Sequence, residues 1–216
     1  MFITFEGLDG SGKTTIISKV ISFFNEKYPK LNYVLTREPG GKDSKEAERI
    51  REIILDKESK LSSVTEALLY SASRRIHLED VIWPALKENK LVFCDRYIDS
   101  FYAYQGNARD LGMKFVESIT ELVIDKTYPD IVVFFDITPS ECKKRRQQNR
   151  LVQDRLDDET EAFHVKVYEG YKKLIQNNPS RYVIIDATQN VEKVFEQTIQ
   201  KITNNPKFKE YMSKYE

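Results

Sequence analysis

"EGLDGSGKTT" (residues 6–15) follows a short apolar run, "MFITFE" (1–6), and leads into an amphipathic stretch over 13–27. Within it, Gly7-Leu8-Asp9-Gly10-Ser11-Gly12-Lys13-Thr14 has the spacing G-x-x-x-x-G-K-[ST]. A strand, a glycine-rich loop and a helix in succession turn backbone N–H groups inward, where they cradle phosphate at the positive end of the helix. Lys13 adds a mobile cation for the outer phosphates, and the Thr14 hydroxyl is placed to reach Mg²⁺. Asp9 is the anomaly, a carboxylate inside a loop built to attract anions.

Four more apolar, β-rich runs follow: "NYVLTR" (32–37), "KLVFCDR" (90–96), "DIVVFFDI" (130–137) and "RYVIIDA" (181–187). Most are apolar throughout rather than alternating, as strands are when helices cover both faces of a parallel sheet. Between them lie helix-period stretches at 44–56, 63–89, 98–104, 112–126, 139–147, 158–177 and 190–203. Pro84 should kink or break the longest of these. Residues 206–216 read as a short helix or a frayed tail. The expectation is a P-loop NTPase-type doubly wound α/β fold, five parallel strands with helices on both faces, forming one domain over 1–216.

Composition narrows the class. Acidic and basic residues balance at 34 each, which points to neither a nucleic-acid nor a membrane partner. The two cysteines, Cys94 and Cys142, lie beside apolar runs without metal-ligand spacing, which fits a reducing cytosol. No apolar run is long enough to span a bilayer, and no signal-peptide pattern precedes the first strand.

Three further segments suggest a second anion site. "LTREPGG" (35–41) ends the second strand with Arg37 at the edge where open α/β sheets bind ligands. "YSASRR" (70–75) sets Tyr70 and Arg74 on one helical face. "FCDRY" (93–97) ends the third strand with Asp95 beside Arg96. Arg37, Arg74 and Arg96 could surround a phosphate separate from ATP, since the guanidinium fork donates two bonds at once.

"FEGLDGSGKTT", "TREPGG", "LLYSASR", "DRYIDSFYAYQG" and "DRLD", in this order and spacing over 1–203, resemble the thymidylate kinase family. The resemblance implies transfer of phosphate from ATP to dTMP, with Mg²⁺, in a cytoplasmic homodimer. It implies that Gly7, Leu8, Asp9, Gly10, Ser11, Gly12, Lys13, Thr14 and Thr15 hold ATP. Arg37 and Arg96 would bind the monophosphate, Tyr70 would stack on thymine, and Arg74 would touch the base edge and phosphate region. Ser100, Tyr104 and Gln105 would line the sugar and base, with the Tyr104 ring excluding a ribose hydroxyl. Asp95 would act as a Walker-B-like acid on Mg²⁺ together with Thr14. "DATQ" (186–189) would border adenine. Asp9 would point away from ATP and accept from the 3′-hydroxyl of the acceptor sugar. The family commonly has phenylalanine where this chain has Tyr70.

Some members carry an arginine inside the phosphate loop, where this chain has Gly10. A basic segment instead follows the fourth strand, "KKRRQQNRLVQDR" (143–155). It resembles the bacterial pattern, in which a lid (about 141–157) supplies the catalytic arginine. Arg150 is the expected residue, with Arg146 on ATP and Arg155 as a neighbour, beside Lys13, Asp9 and Arg96 as the catalytic set. His77 and His164 are expected to be structural. Two rivals remain at this level. A deoxynucleoside kinase would need a carboxylate base after the first helix and has little use for Arg37, and a nucleotide-binding switch has little use for a second arginine cluster.

Overall fold

The computed structural model describes residues 1–41, 43–149, 155–156 and 159–214, without the side chains of 148 and 149. Arg150 lies outside the described residues. Five strands, β1 (Phe2–Glu6), β2 (Tyr33–Arg37), β3 (Leu91–Asp95), β4 (Ile131–Asp136) and β5 (Tyr182–Asp186), form one parallel sheet in the order β2-β3-β1-β4-β5. The runs that read as strands are strands, trimmed by a residue or two at their ends.

Alternation along the strands sorts the core between two faces. Ile3, Phe5, Leu91 and Phe93 belong to one buried cluster, together with Ile16, Val20 and Phe24 of α1 (Lys13–Lys27). Phe2, Val92 and Cys94 belong to the other, with Ala67 of α3 (Ser63–His77) and Val116 and Ile124 of α6 (Met113–Ile124). Helices α2 (Lys45–Leu55), α4 (Trp83–Lys87), α5 (Ile98–Phe101), α7 (Pro139–Asn149), α8 (Glu161–Asn177), α9 (Val191–Thr203) and α10 (Pro206–Met212) complete the layers. Residues 206–212 are thus helical, with Phe208 buried against Phe24. Both cysteines are buried and free. Among the described residues no helix is long and apolar enough to cross a membrane.

Two helices widen where the sequence suggests only a break or an end. The interruption near Pro84 is a π-helical turn over Leu78–Ile82, in which the Trp83 N–H bonds the Leu78 carbonyl. Proline has no N–H to offer the preceding turn, and the wider register lets the chain pass it without ending the helix. A second π-helical turn, Tyr102–Ala108, extends α5 past residue 104 and closes with Arg109 N–H on the Tyr104 carbonyl. Such turns often occur at functional sites. This one carries Tyr104 and Gln105.

Candidate active site

The order β2-β3-β1-β4-β5 makes the chain reverse direction around β1, so a crevice opens at the carboxyl ends of β1 and its neighbours. The phosphate loop fills one side of it. Gly7, Gly10 and Gly12 have φ of 140°, 87° and 91°, values a side chain resists. Lys13 is buried and donates Nζ to the carbonyls of Gly7 and Leu8, each at 3.1 Å. Burial, with the charge of Arg96 adding to it, lowers the Lys13 pKa. Ser11 is buried, Thr14 and Thr15 are exposed at the start of α1, and Thr14 lines the crevice.

Gly10 shows why the loop bears no arginine. A Cβ there would lie 2.6 Å from the Cys142 carbonyl oxygen and 3.0 Å from Arg146 Cγ. Helix α7 is packed against the loop, and its arginines approach from outside. Arg146 Nη1 donates to the Asp9 carbonyl at 2.7 Å, and Arg145 Nη1 lies 3.5 Å from the Ser11 carbonyl.

The other side is a cavity of about 280 Å³, lined by Asp9, Thr14, Arg37, Tyr70, Arg74, Asp95, Arg96, Ser100, Tyr104 and Gln105 among others. Asp9, the anomaly of the loop, turns its carboxylate into this cavity. Its Oδ1 accepts from Arg96 Nη2 at 2.9 Å and its Oδ2 from the Tyr104 hydroxyl at 3.2 Å. Arg96 has φ of 68°, a conformation that non-glycine residues rarely adopt and that recurs at functional sites. Its Nη1 donates to Ser100 Oγ at 2.9 Å and to the Tyr171 hydroxyl at 3.2 Å. Both hydroxyls in turn donate to Glu6 Oε2, at 2.6 and 3.0 Å, while Glu6 Oε1 accepts the Tyr97 N–H. Glu6 is fully buried. Burial, with the nearby Asp99 charge, pushes its pKa up to about 7.

The remaining arginines are held by acids. Arg74 donates Nε to Glu38 at 2.7 Å, and its guanidinium lies 5.1 Å from the Phe101 ring centre. Arg37 pairs with Glu48 at 2.8 Å. His77 is buried between Thr36 and Glu38, at 2.6 and 3.2 Å, so it braces the same loop. His164 is also buried, with neither ring nitrogen hydrogen-bonded among the described residues. Arg155 stands apart from Arg145 and Arg146. It binds Glu66 and the Ile54 carbonyl, on the α2–α3 side rather than at the phosphate loop. Its long side chain finds a buried carboxylate there that no local spacing announces.

Asp95 Oδ1 is buried without a hydrogen-bond partner among the described residues, and Thr14 lines the same cavity. An orphaned carboxylate oxygen near a hydroxyl fits a hydrated divalent cation, and Mg²⁺ at nucleotide sites takes most ligands from water and phosphate. Among the described residues no group of three or more His, Cys, Asp or Glu could hold a metal, and Mg²⁺ held this way needs none.

Sequence reasoning gave no role to Glu6, Glu38, Arg51 or Glu66. Glu6 and Glu38 sit inside "FEGLDG" and "TREPGG", so their motifs were visible while their partners were not. Arg51 lines the cavity and donates to the Pro39 carbonyl at 2.8 Å. Its only sequence signal is a position one helical turn after Glu48.

Residues 5–198 match the family model described as thymidylate kinase. A thymidylate kinase of Mycoplasmopsis agalactiae is 56% identical over 211 residues, 98% of each chain. One from Finegoldia magna is 51% identical over 203 residues, 93% of this chain and 96% of its own. The crystal structure of thymidylate kinase from Ehrlichia chaffeensis superposes with a TM-score of 0.74 at 34% identity, covering 93% of this chain and 96% of that one. With a cavity that joins a phosphate loop to a second arginine cluster, and with relatives matched nearly end to end, this chain belongs to the thymidylate kinase family.

Proposed function

We propose that the chain transfers the γ-phosphoryl group of ATP to dTMP, giving dTDP and ADP, and that residues 1–216 act as one domain. The observation that carries the reading is the Asp9–Arg96 pair, which ties the phosphate loop to the acceptor cavity. In this reading a phosphate oxygen of dTMP attacks the γ-phosphorus in line, the bond to the β-phosphate oxygen breaks, and ADP leaves with that electron pair. The attacking oxygen is already anionic, so positioning and charge neutralisation suffice. Lys13 and the loop N–H groups hold the donor, with Arg146 beside them and "DATQ" (186–189) bordering adenine. Arg150 supplies the transition-state cation. Thr14 and Asp95 would hold Mg²⁺, which would supply charge neutralisation to the transferring phosphates.

On the acceptor side, Arg96 and Arg37 take the monophosphate, Tyr70 stacks on the base, and Arg74 and Gln105 read its edge. Asp9 accepts from the 3′-hydroxyl, while Ser100 fixes Arg96 and Tyr104 blocks a 2′-hydroxyl. The enzyme works in the cytoplasm as a homodimer. Its contact face is the α3–α6 pair, where Val64, Leu68 and Leu122 are exposed, Leu122 by 81%. Leu122→Asp should then yield monomers in light scattering.

ADP release over a panel of acceptors tests the reaction. The expected order is dTMP, then dUMP, with UMP nearly inert and thymidine unused. A preference for thymidine would replace the reading with nucleoside phosphorylation.

A further inference from the structure

Glu66 is buried on α3, 1% exposed, and touches none of the groups expected to react. Its Oε1 accepts from Gln105 Nε2 and from Arg109 Nε, both at 3.0 Å. Its Oε2 accepts from Arg109 Nη2 at 3.2 Å and from Arg155 Nη2. Arg109 is fixed in turn by Glu159 at 2.6 Å and by the Phe163 ring, whose centre is 4.5 Å from its guanidinium. Arg155 is fixed by the carbonyls of Ile54 and Leu55. Burial alone would raise the Glu66 pKa, but the hydrogen bonds from Arg109 and Arg155 bring it below the usual value.

A buried carboxylate that needs two arginines costs desolvation energy that an apolar residue would avoid. The chemistry of Gln105 supplies a reason for it. An ionised carboxylate can only accept hydrogen bonds, whereas an amide has one donating end and one accepting end. Facing Glu66, the Gln105 amide has a single orientation, with its NH₂ toward the acid. Its acceptor end, Oε1, is then turned away from Glu66, in a residue that lines the cavity. An acceptor at that point complements a pyrimidine with an N–H at ring position 3. It opposes one with a lone pair there.

We infer that Glu66 is a positioning residue for base specificity, holding the Gln105 carbonyl oxygen toward the base so that thymine is taken and cytosine refused. This rests on the reading of the cavity as the dTMP site. Arg109 and Arg155 keep Glu66 ionised, so Arg155 contributes to base choice although its own side chain is not part of the cavity lining.

The test compares kcat/KM for dTMP and dCMP at saturating Mg-ATP. Glu66→Gln can present an NH₂ to Gln105 and lets its amide turn over. The dTMP to dCMP ratio should fall about tenfold, the scale of one hydrogen bond replaced by an opposed pair, while KM for ATP stays the same. In a Gln105→Leu background, Glu66→Gln should lower the ratio no further. A proportional loss on both acceptors, with the ratio unchanged, would assign Glu66 to structure alone and overturn the inference. If Glu66→Gln does not fold, Gln105→Leu alone decides, because an unchanged ratio there leaves Glu66 nothing to position. Wild-type protein inactive on dTMP would fail the functional reading instead, a separate result.

Discussion

The two sides of the crevice are held by different kinds of contact. On the donor side the loop's own bonds are short in sequence, Ser11 N–H to the Leu8 carbonyl and Lys13 to the carbonyls of Gly7 and Leu8, while Arg146 of α7 reaches the Asp9 carbonyl from outside it. On the acceptor side they join distant segments. Arg96 meets Asp9 across 87 residues and Tyr171 across 75, and Arg74 meets Glu38 across 36. The donor side is a backbone shape that glycines permit. The acceptor side is a network of side chains that the fold must assemble. Asp9 belongs to the first by position and to the second by contact, through Arg96 and Tyr104.

The largest effect should come where neither kind of contact suffices. With no arginine in the loop, Arg150→Ala should lower kcat by about 10³-fold or more, the scale of a lost transferring-group arginine, with little change in dTMP binding. Single-turnover kinetics on Arg150→Ala, Arg146→Ala and Arg155→Ala check it. A greater loss at Arg155, which binds Glu66, would move the catalytic cation to the acceptor side and break the contrast.

Next is the residue shared by both sides. A charge-assisted hydrogen bond is worth about 1.5–3 kcal/mol, or roughly 10- to 150-fold. Asp9→Ala should therefore lose most of the preference for dTMP over 3′-deoxy-dTMP while leaving ATP affinity similar. An unchanged preference would return Asp9 to the donor side, as a carboxylate favoured by the helix dipole.

The acceptor network should also respond to pH. Ionised Glu6 accepts from Ser100 and Tyr171, whose oxygens then accept from Arg96. Protonation near pH 7 removes that polarity. Wild-type kcat/KM for dTMP should fall by about tenfold per pH unit well below this pKa, and Glu6→Gln should lack the inflection. Because dTMP itself titrates nearby, the difference between the two profiles is the measurement. Stability should run the other way. The folded-state pKa of about 7 lies above the ordinary 4.5, so this group's stabilisation is full below pH 4.5 and is lost as pH rises through 7. Denaturant titrations of both proteins at pH 5 and 8 should show that slope in wild type only.

The smallest effect should be a side chain on the donor side. Ser11 Oγ is buried with no partner among the described residues. Ser11→Ala should change kcat/KM for ATP by less than about threefold, since a hydroxyl without a partner contributes no net hydrogen bond. A tenfold loss would mean that the loop also works through its side chains.

This contrast explains what could be read in advance. Apolar strand runs and the glycine spacing are local patterns, and both sit where they were expected. Arg37, Tyr70, Arg74, Arg96, Ser100, Tyr104 and Gln105 meet in one cavity. The π-helical turns at Leu78–Ile82 and Tyr102–Ala108 were not legible, because an inserted residue changes hydrogen-bond register without changing apolar period. Nor were the bracing acids Glu6, Glu38 and Glu66. A buried carboxylate is spelled like an exposed one, and its role appears only with its partners.

The sequence by itself determined the parallel sheet, the phosphate loop and the residue types of the second arginine cluster, because each is set by neighbours within a few positions. Only the tertiary structure decided that Asp9 meets Arg96 and Tyr104, that Gly10 is required by the approach of α7, and that Arg155 serves Glu66. Those outcomes depend on the strand order, which places β3 and β4 on opposite sides of β1, and on the cost of burying a charge without a partner.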